Sequence, residues 1–448
     1  MKKNYKKGNI CRTIICAALI ASFALTAYGC GAANHIESIT TTDGTGGIKD
    51  ITAGTAAYDD MEYDGGDVGL ADAAEYADAA GVAKSETVGD DGVEAPGLPE
   101  TIDEIPEKEL PAAGQLTAGQ WNDNENRGFF TNLVNSGTIA FPSFGLDPTN
   151  RTAVTVNDKD GKPLANAKVR LLDTAGGVIF ESVTDKQGVA YLFENAAGAG
   201  VSAEVESDGK KQTFELPAVN GGGQSGDKKT SDRETTVTFD GSGELYKNMD
   251  VMFIVDATGS MFDEMLFLQS EFTEITKEIG TKDTRWSVNF YRDEGDDYVT
   301  KCSPFSTDIK DIQKSLNKEE ADGGGDYPEA VAQILTETMF ADDWGDDSVK
   351  LAFLIFDAPP HEGKDKELQE AIEEAARKGI HLIPVVSSDS DRDTELFGRA
   401  AAIMTNGEYV FLTDDSGIGN SHSEPIIGSY EVRPLYDIII DIINGYKQ

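Results

Sequence analysis

Three short clusters of oxygen-bearing residues stand out in this chain of 448 residues. The first is Asp256-Ala257-Thr258-Gly259-Ser260, the second Gly323-Gly324-Gly325-Asp326, and the third Asp357, ahead of Ala358-Pro359-Pro360. Hard divalent cations prefer carboxylate, hydroxyl and water oxygens. Alternate residues of a tight loop can aim several such oxygens at one point. Hydroxyls from Thr258 and Ser260 would bind an ion without cancelling its charge. Singly, each residue has a plainer role, since Asp256 could cap a helix and Asp326 could sit in a helical first turn. Together, and in this order, they favour a cation site made of Asp256, Thr258, Ser260, Asp326 and Asp357.

Such a site needs a scaffold that brings distant segments to one place. The run DVMFIVD (250–256) is almost continuously apolar, as a strand buried on both faces should be. After it, Met261, Met265, Leu268, Phe272, Ile275 and Ile279 recur at helical spacing. Further strands are expected at 286–291, 350–357, 380–387 and 408–412. Helices are expected at about 309–317, 327–341, 365–378 and 393–404, and a closing one uses Leu435, Ile438, Ile439 and Ile442. Alternation of this kind predicts an α/β fold, a doubly wound and mainly parallel sheet of Rossmann-like form. Its ligands would bind at the carboxyl ends of the strands, where all three clusters fall.

DATGSM, GGGDYPEAV and the intervening YRDEGDDYVT resemble von Willebrand factor A domains, over about 200 C-terminal residues. The resemblance implies a metal-ion-dependent adhesion site. Thr258 and Ser260 would be its hydroxyl ligands, Asp256 its first carboxylate, and Asp357 the later Asp. Asp326 stands where that family has Thr, so a divalent ion would leave the site near −1, firm toward its cation and weaker toward an acidic ligand. Oxygen ligands suit magnesium best among candidates that include calcium and manganese. Arg292, Asp293 and His361 are further rim candidates, and the acidic loop 292–297 is expected to be solvated. None of His35, His361, His381 and His422 pairs at ligand spacing.

The remaining chain sets the context. Residues 1–29 carry five cations and no acid, with an apolar run from Thr13 to Ala27, as in an export signal. The run is short for a membrane span, which takes about 20 apolar residues. Ala27-Tyr28-Gly29-Cys30 resembles a bacterial lipobox, which implies a lipid on Cys30, anchorage to the membrane and an outward-facing location. Only Cys302 would then remain a thiol, expected to be small and buried. Residues 30–110 read as a disordered tether; from Gly31 to Leu110 there are 20 acids and 3 lysines, too little apolar content to fold. Residues 111–150 form a short segment before the first domain. Residues 151–219 alternate as a small antiparallel β-sandwich resembling carboxypeptidase-regulatory or Cna-B-like domains, with a β-turn at Asp158–Gly161. A linker and accessory strand (220–246) lead to the α/β domain (247–448).

A net charge of −42 excludes nucleic-acid binding through a basic patch. The expected function is cation-dependent binding of a surface protein or other acidic ligand, without catalysis. Two other readings stay open: a metal-dependent phosphoester hydrolase of haloacid-dehalogenase type, and a structural module stabilised by its metal. The hydrolase would need an acid/base Asp where this chain has Thr258.

Overall fold

The computed structural model describes residues 112–194, 199–218 and 230–448. The signal-like segment, the tether, His35 and Cys30 lie outside them. The described chain begins with β1 (Thr117–Trp121) and α1 (Arg127–Ser136). A second body follows: β2 (Arg151–Asn157), β3 (Lys168–Leu172), β4 (Val178–Val183), β5 (Val189–Phe193), β6 (Ser202–Ser207), β7 (Lys210–Glu215) and β8 (Arg233–Thr238). Alternation then gives way to β9 (Asn248–Asp256), α2 (Phe262–Ile279), β10 (Thr284–Tyr291), β11 (Thr300–Lys301), α3 (Ile309–Lys318) and α4 (Val331–Met339). The last elements are β12 (Ser348–Phe356), α5 (Asp365–Lys378), β13 (Ile380–Val386), α6 (Arg392–Met404), β14 (Tyr409–Leu412), β15 (Arg433–Pro434) and α7 (Leu435–Tyr446).

The large sheet has the order β11-β10-β9-β12-β13-β14-β1-β15. From β10 to β14 every pairing is parallel, which agrees with the apolar runs that buried parallel strands require. One face is covered by α2, α3 and α7 through Met265, Phe272, Leu316 and Ile439. The other is covered by α4, α5 and α6 through Leu335, Ile372 and Phe397. Local chemistry fixes the helix ends: the Asp308 carboxylate accepts from Lys310 N at 3.0 Å, and Gly379 adopts the left-handed conformation after α5. Among the described residues no helix is long and apolar enough to cross a membrane.

Sequence and structure differ over the segment before the sandwich. β1 pairs antiparallel with β14 and with β15, so residues 117–121 belong to the α/β sheet. The sandwich is therefore inserted between one strand of that sheet and the rest. TAGQW has no apolar alternation to announce it; long-range pairing makes it a strand. Gly114 N and Gln115 N donate to the Glu271 carboxylate on α2, which fixes the approach. Asp123 makes a bidentate pair with the fully buried Arg399 of α6, at 2.8 Å on both sides.

The sandwich comprises the sheets β5-β2-β8 and β4-β3-β6-β7. One pairing departs from the antiparallel expectation: β8 runs parallel to β2. The Asp158 carboxylate closes a turn on Asp160 N and Lys162 N, both at 2.8 Å. Sandwich residues such as Val169, Phe180 and Phe193 share a continuous apolar cluster with α4, α5 and α6. Cys302 is a further correction, for its residue is exposed rather than buried. Partial burial and the neighbouring Glu337 carboxylate push its thiol up to about 12, so it stays protonated and unreactive near neutrality.

Candidate metal centre

Asp256 ends β9, and Asp357 follows the end of the adjacent β12. From β9 the chain passes to β10 on one side and later to β12 on the other, so the two carboxylates flank a topological switch point. Crevices form at such points because the flanking connections leave in opposite directions. The loop after β9 is tightly made. Asp256 Oδ1 accepts from Thr258 N at 2.9 Å and from Thr258 Oγ1 at 2.6 Å, and Thr258 Oγ1 lies 3.1 Å from Ser260 Oγ. The Ser260 hydroxyl in turn faces the Asp357 carboxyl.

Two carboxylate oxygens here are buried without a well-formed hydrogen bond, Asp256 Oδ2 and Asp357 Oδ1, and the buried Tyr291 hydroxyl, itself unmatched, stands beside Asp256. Burial raises the pKa of Asp256. Burial, and then the Asp256 charge, raises that of Asp357. An orphaned, desolvated carboxylate oxygen costs free energy unless a proton or a cation meets it.

A third carboxylate joins them that the sequence did not single out. Glu329 is 3% exposed, and its Oε2 is also without a partner. Burial, then the charges of Asp256, Asp293 and Asp357, push its pKa up to about 10. A helix was expected from residue 327, but α4 starts at Val331. Residues before it instead form a bridge between Glu329 and Pro360, with Glu329 N donating to Pro359 O at 3.0 Å. That bridge turns Glu329 inward. Asp326, by contrast, is exposed, with no hydrogen bond or ion pair to the loop among the described residues. The nearby approach is made by backbone: Gly259 N donates to Gly323 O at 3.0 Å. Gly324 has φ +76°, and a Cβ there would meet Glu329 Oε1 at 3.0 Å and Thr258 Cβ at 3.2 Å. Only glycine suits that position.

The rim candidates divide. Asp293 is buried and lies 2.6 Å from His361 Nε2, beside the carboxylate group. Arg292 turns away, donating to Glu320 O at 2.7 Å and stacking on Tyr298. The loop after β10 thus contributes Asp293 and the loop after β12 His361, while Arg292 braces the former.

These groups fit a hard cation in kind: two hydroxyls, adjacent carboxylates and unpartnered buried oxygens. Among the described residues no three His, Cys, Asp or Glu side chains are grouped tightly enough to hold a metal alone. The Thr258 and Ser260 hydroxyls, with water, would have to complete any shell.

Parts of this chain are similar to known proteins. Ariadne-like RING finger protein R811 of Acanthamoeba polyphaga mimivirus is 27% identical over 214 residues, 43% of this chain and 20% of that protein. This chain thus spans about a fifth of that relative's length. The crystal structure of BatB, a conserved hypothetical protein of Bacteroides thetaiotaomicron, aligns at 14% identity and TM-score 0.32 over 44% of this chain and 98% of that one. Residues 250–418 match the von Willebrand factor A domain family. The α/β body just described therefore carries a von Willebrand factor A domain over that range.

Proposed function

We propose that the domain is a divalent-cation-dependent binding module for a protein ligand, and that it performs no catalysis. One observation carries the reading: Asp256 and Asp357 are buried at adjacent strand ends beside the Thr258 and Ser260 hydroxyls, with Asp256 Oδ2 and Asp357 Oδ1 lacking a well-formed hydrogen bond. Magnesium suits a small all-oxygen shell best, with manganese and calcium as alternatives. Hydrolase chemistry is disfavoured because Thr258 donates to Asp256 where an acid/base Asp would be needed. The same proposal places the chain on the cell surface through a lipid on Cys30, a reading that rests on residues 1–30 alone.

The test uses the full chain, because β1 and the sandwich are built into the same body as the α/β sheet. Chelator-treated protein is melted with and without magnesium, calcium or manganese, alongside Ser260→Ala and Asp357→Asn. A ligand at a hundred times its Kd stabilises by about 2.7 kcal/mol, so wild type should melt several degrees higher with the preferred ion. Both variants should lose most of that gain. Equal melting in all samples, with and without ions, would remove the cation from the proposal.

A further inference from the structure

The carboxyl end of the sheet holds far more negative charge than one ion can balance. Segments 292–297 and 319–329 together contain nine acids and one cation, Arg292, which is engaged with Glu319, Glu320 and Asp322; from outside them Lys301 pairs with Glu319, Lys364 with Glu294, and His361 lies on Asp293. Asp256 and Asp357 add two more carboxylates. Asp297, Glu320 and Asp326 are exposed, with no ion pair among the described residues. Beneath them lie the orphaned oxygens of Asp256, Asp357 and Glu329, each residue at least 97% buried. An exposed aromatic ring stands on the same rim: Phe262, two residues beyond Ser260, is 68% exposed. Tyr327, at 43% exposure, borders the crevice with its hydroxyl donating to Asp357 O at 3.4 Å.

A site that stays negative with its cation in place repels a carboxylate ligand. We propose that the partner recognised at this rim is a basic segment of another protein. Its Lys or Arg side chains pair with Asp297, Glu320 and Asp326, and an apolar neighbour covers Phe262. A cation at the centre takes from this ligand only a neutral oxygen, such as a backbone carbonyl. Like charges facing each other across an interface cost several kcal/mol, whereas complementary ones raise association rates and set specificity. Phe262 supplies the kind of exposed aromatic anchor that interfaces bury at their centre. This inference rests on the binding-module reading and gives its protein ligand a basic character, where the sequence alone predicts an acidic one.

The test measures fluorescence anisotropy of two labelled dodecapeptides, alternating Lys-Ser and Glu-Ser, with the full chain in magnesium. One variant carries Asp297→Asn, Glu320→Gln and Asp326→Asn. A control neutralises three exposed acids elsewhere: Asp160→Asn, Glu215→Gln and Glu244→Gln. Both change the net charge equally, so the overall field falls alike. The lysine peptide should bind wild type, with the rim variant weaker by at least about fivefold and the control within about twofold, as local pairs are less screened than distant ones. Equal weakening in both variants, absence of lysine-peptide binding, or tighter binding of the glutamate peptide would each overturn the proposal. If Ser260→Ala abolished the magnesium effect on melting yet kept rim-dependent lysine binding, this inference would stand. If no ion changed wild-type melting while that binding persisted, the cation reading alone would fall.

Discussion

The two ends of the large sheet treat their polar groups in opposite ways. At the amino ends of the parallel strands, where the sandwich docks, polar side chains bond mostly to one another, with Arg151 Nε an exception. Asn124 Nδ2 donates to Ile403 O while its Oδ1 accepts from Arg151, and Asn406 Nδ2 donates to Asp185. His381 is held by Asn406 O and stacks on Tyr446. A cleft of about 810 Å³ lies along this seam, and its charged lining residues are balanced, five cations (Lys168, Lys186, Lys350, Arg377, Lys378) against five acids (Glu125, Asp185, Asp342, Asp346, Glu408). At the carboxyl ends, Asp256, Asp357 and Glu329 keep oxygens unmet. Satisfied polar networks hold bodies together, whereas unsatisfied buried charges weaken the fold until something binds them. The contrast separates an end built for cohesion from an end whose buried carboxylates are left unmatched.

The largest expected effect breaks the cohesive end. Replacing Arg399 with Met leaves Asp123 buried with only the Trp121 indole N–H as donor and removes the Arg399–Glu395 pair, and should cost about 3–5 kcal/mol by denaturant titration. A loss below about 1 kcal/mol would mean that the buried pair contributes little. At the other end, Glu329→Gln keeps shape while removing a charge-bearing group. Magnesium affinity should fall about tenfold, or about 1.4 kcal/mol, with metal-free melting nearly unchanged. An unchanged affinity would exclude Glu329 from the cation's surroundings. Back at the seam, Asn406→Gly, which keeps the left-handed backbone of φ 52° open, should cost about 1 kcal/mol, the value of one intramolecular hydrogen bond.

The smallest effect depends on pH. Burial lowers the pKa of His422, but its hydrogen bonds to the Glu264 and Asp414 carboxylates more than offset it and raise the pKa above 6.5. A His pKa raised by folding stabilises the protein fully below the unfolded value, and that stability disappears as pH rises through the folded value. The melting difference between wild type and His422→Gln should therefore shrink as pH rises from about 5.5 to 8.5. A constant difference would assign His422 a packing role only.

Much of this arrangement was legible beforehand where burial leaves a mark on composition. The apolar runs of β9 and β12 announced central strands, and the face from Met265 to Ile275 announced α2. Asp256, Thr258, Ser260 and Asp357 were legible because loop chemistry at strand ends is local. Asp326 and Glu329 were not, because which acid turns inward depends on a bridge to Pro360, a contact 31 residues away. β1 was missed for the same reason: its partners lie almost 300 residues onward. Arg292 was read as facing the rim because its neighbours are acidic; its guanidinium follows the nearest carbonyl instead.

That first strand has a mechanical consequence. Tension arriving from residues before Thr117 enters the sheet along β1, whose backbone bonds to β14 and β15 would be loaded sideways and together. The load then reaches the strand ends near Asp357 through the sheet itself, without crossing the inserted sandwich. Under pulling, the sandwich would ride as a passenger while the α/β sheet carries the force.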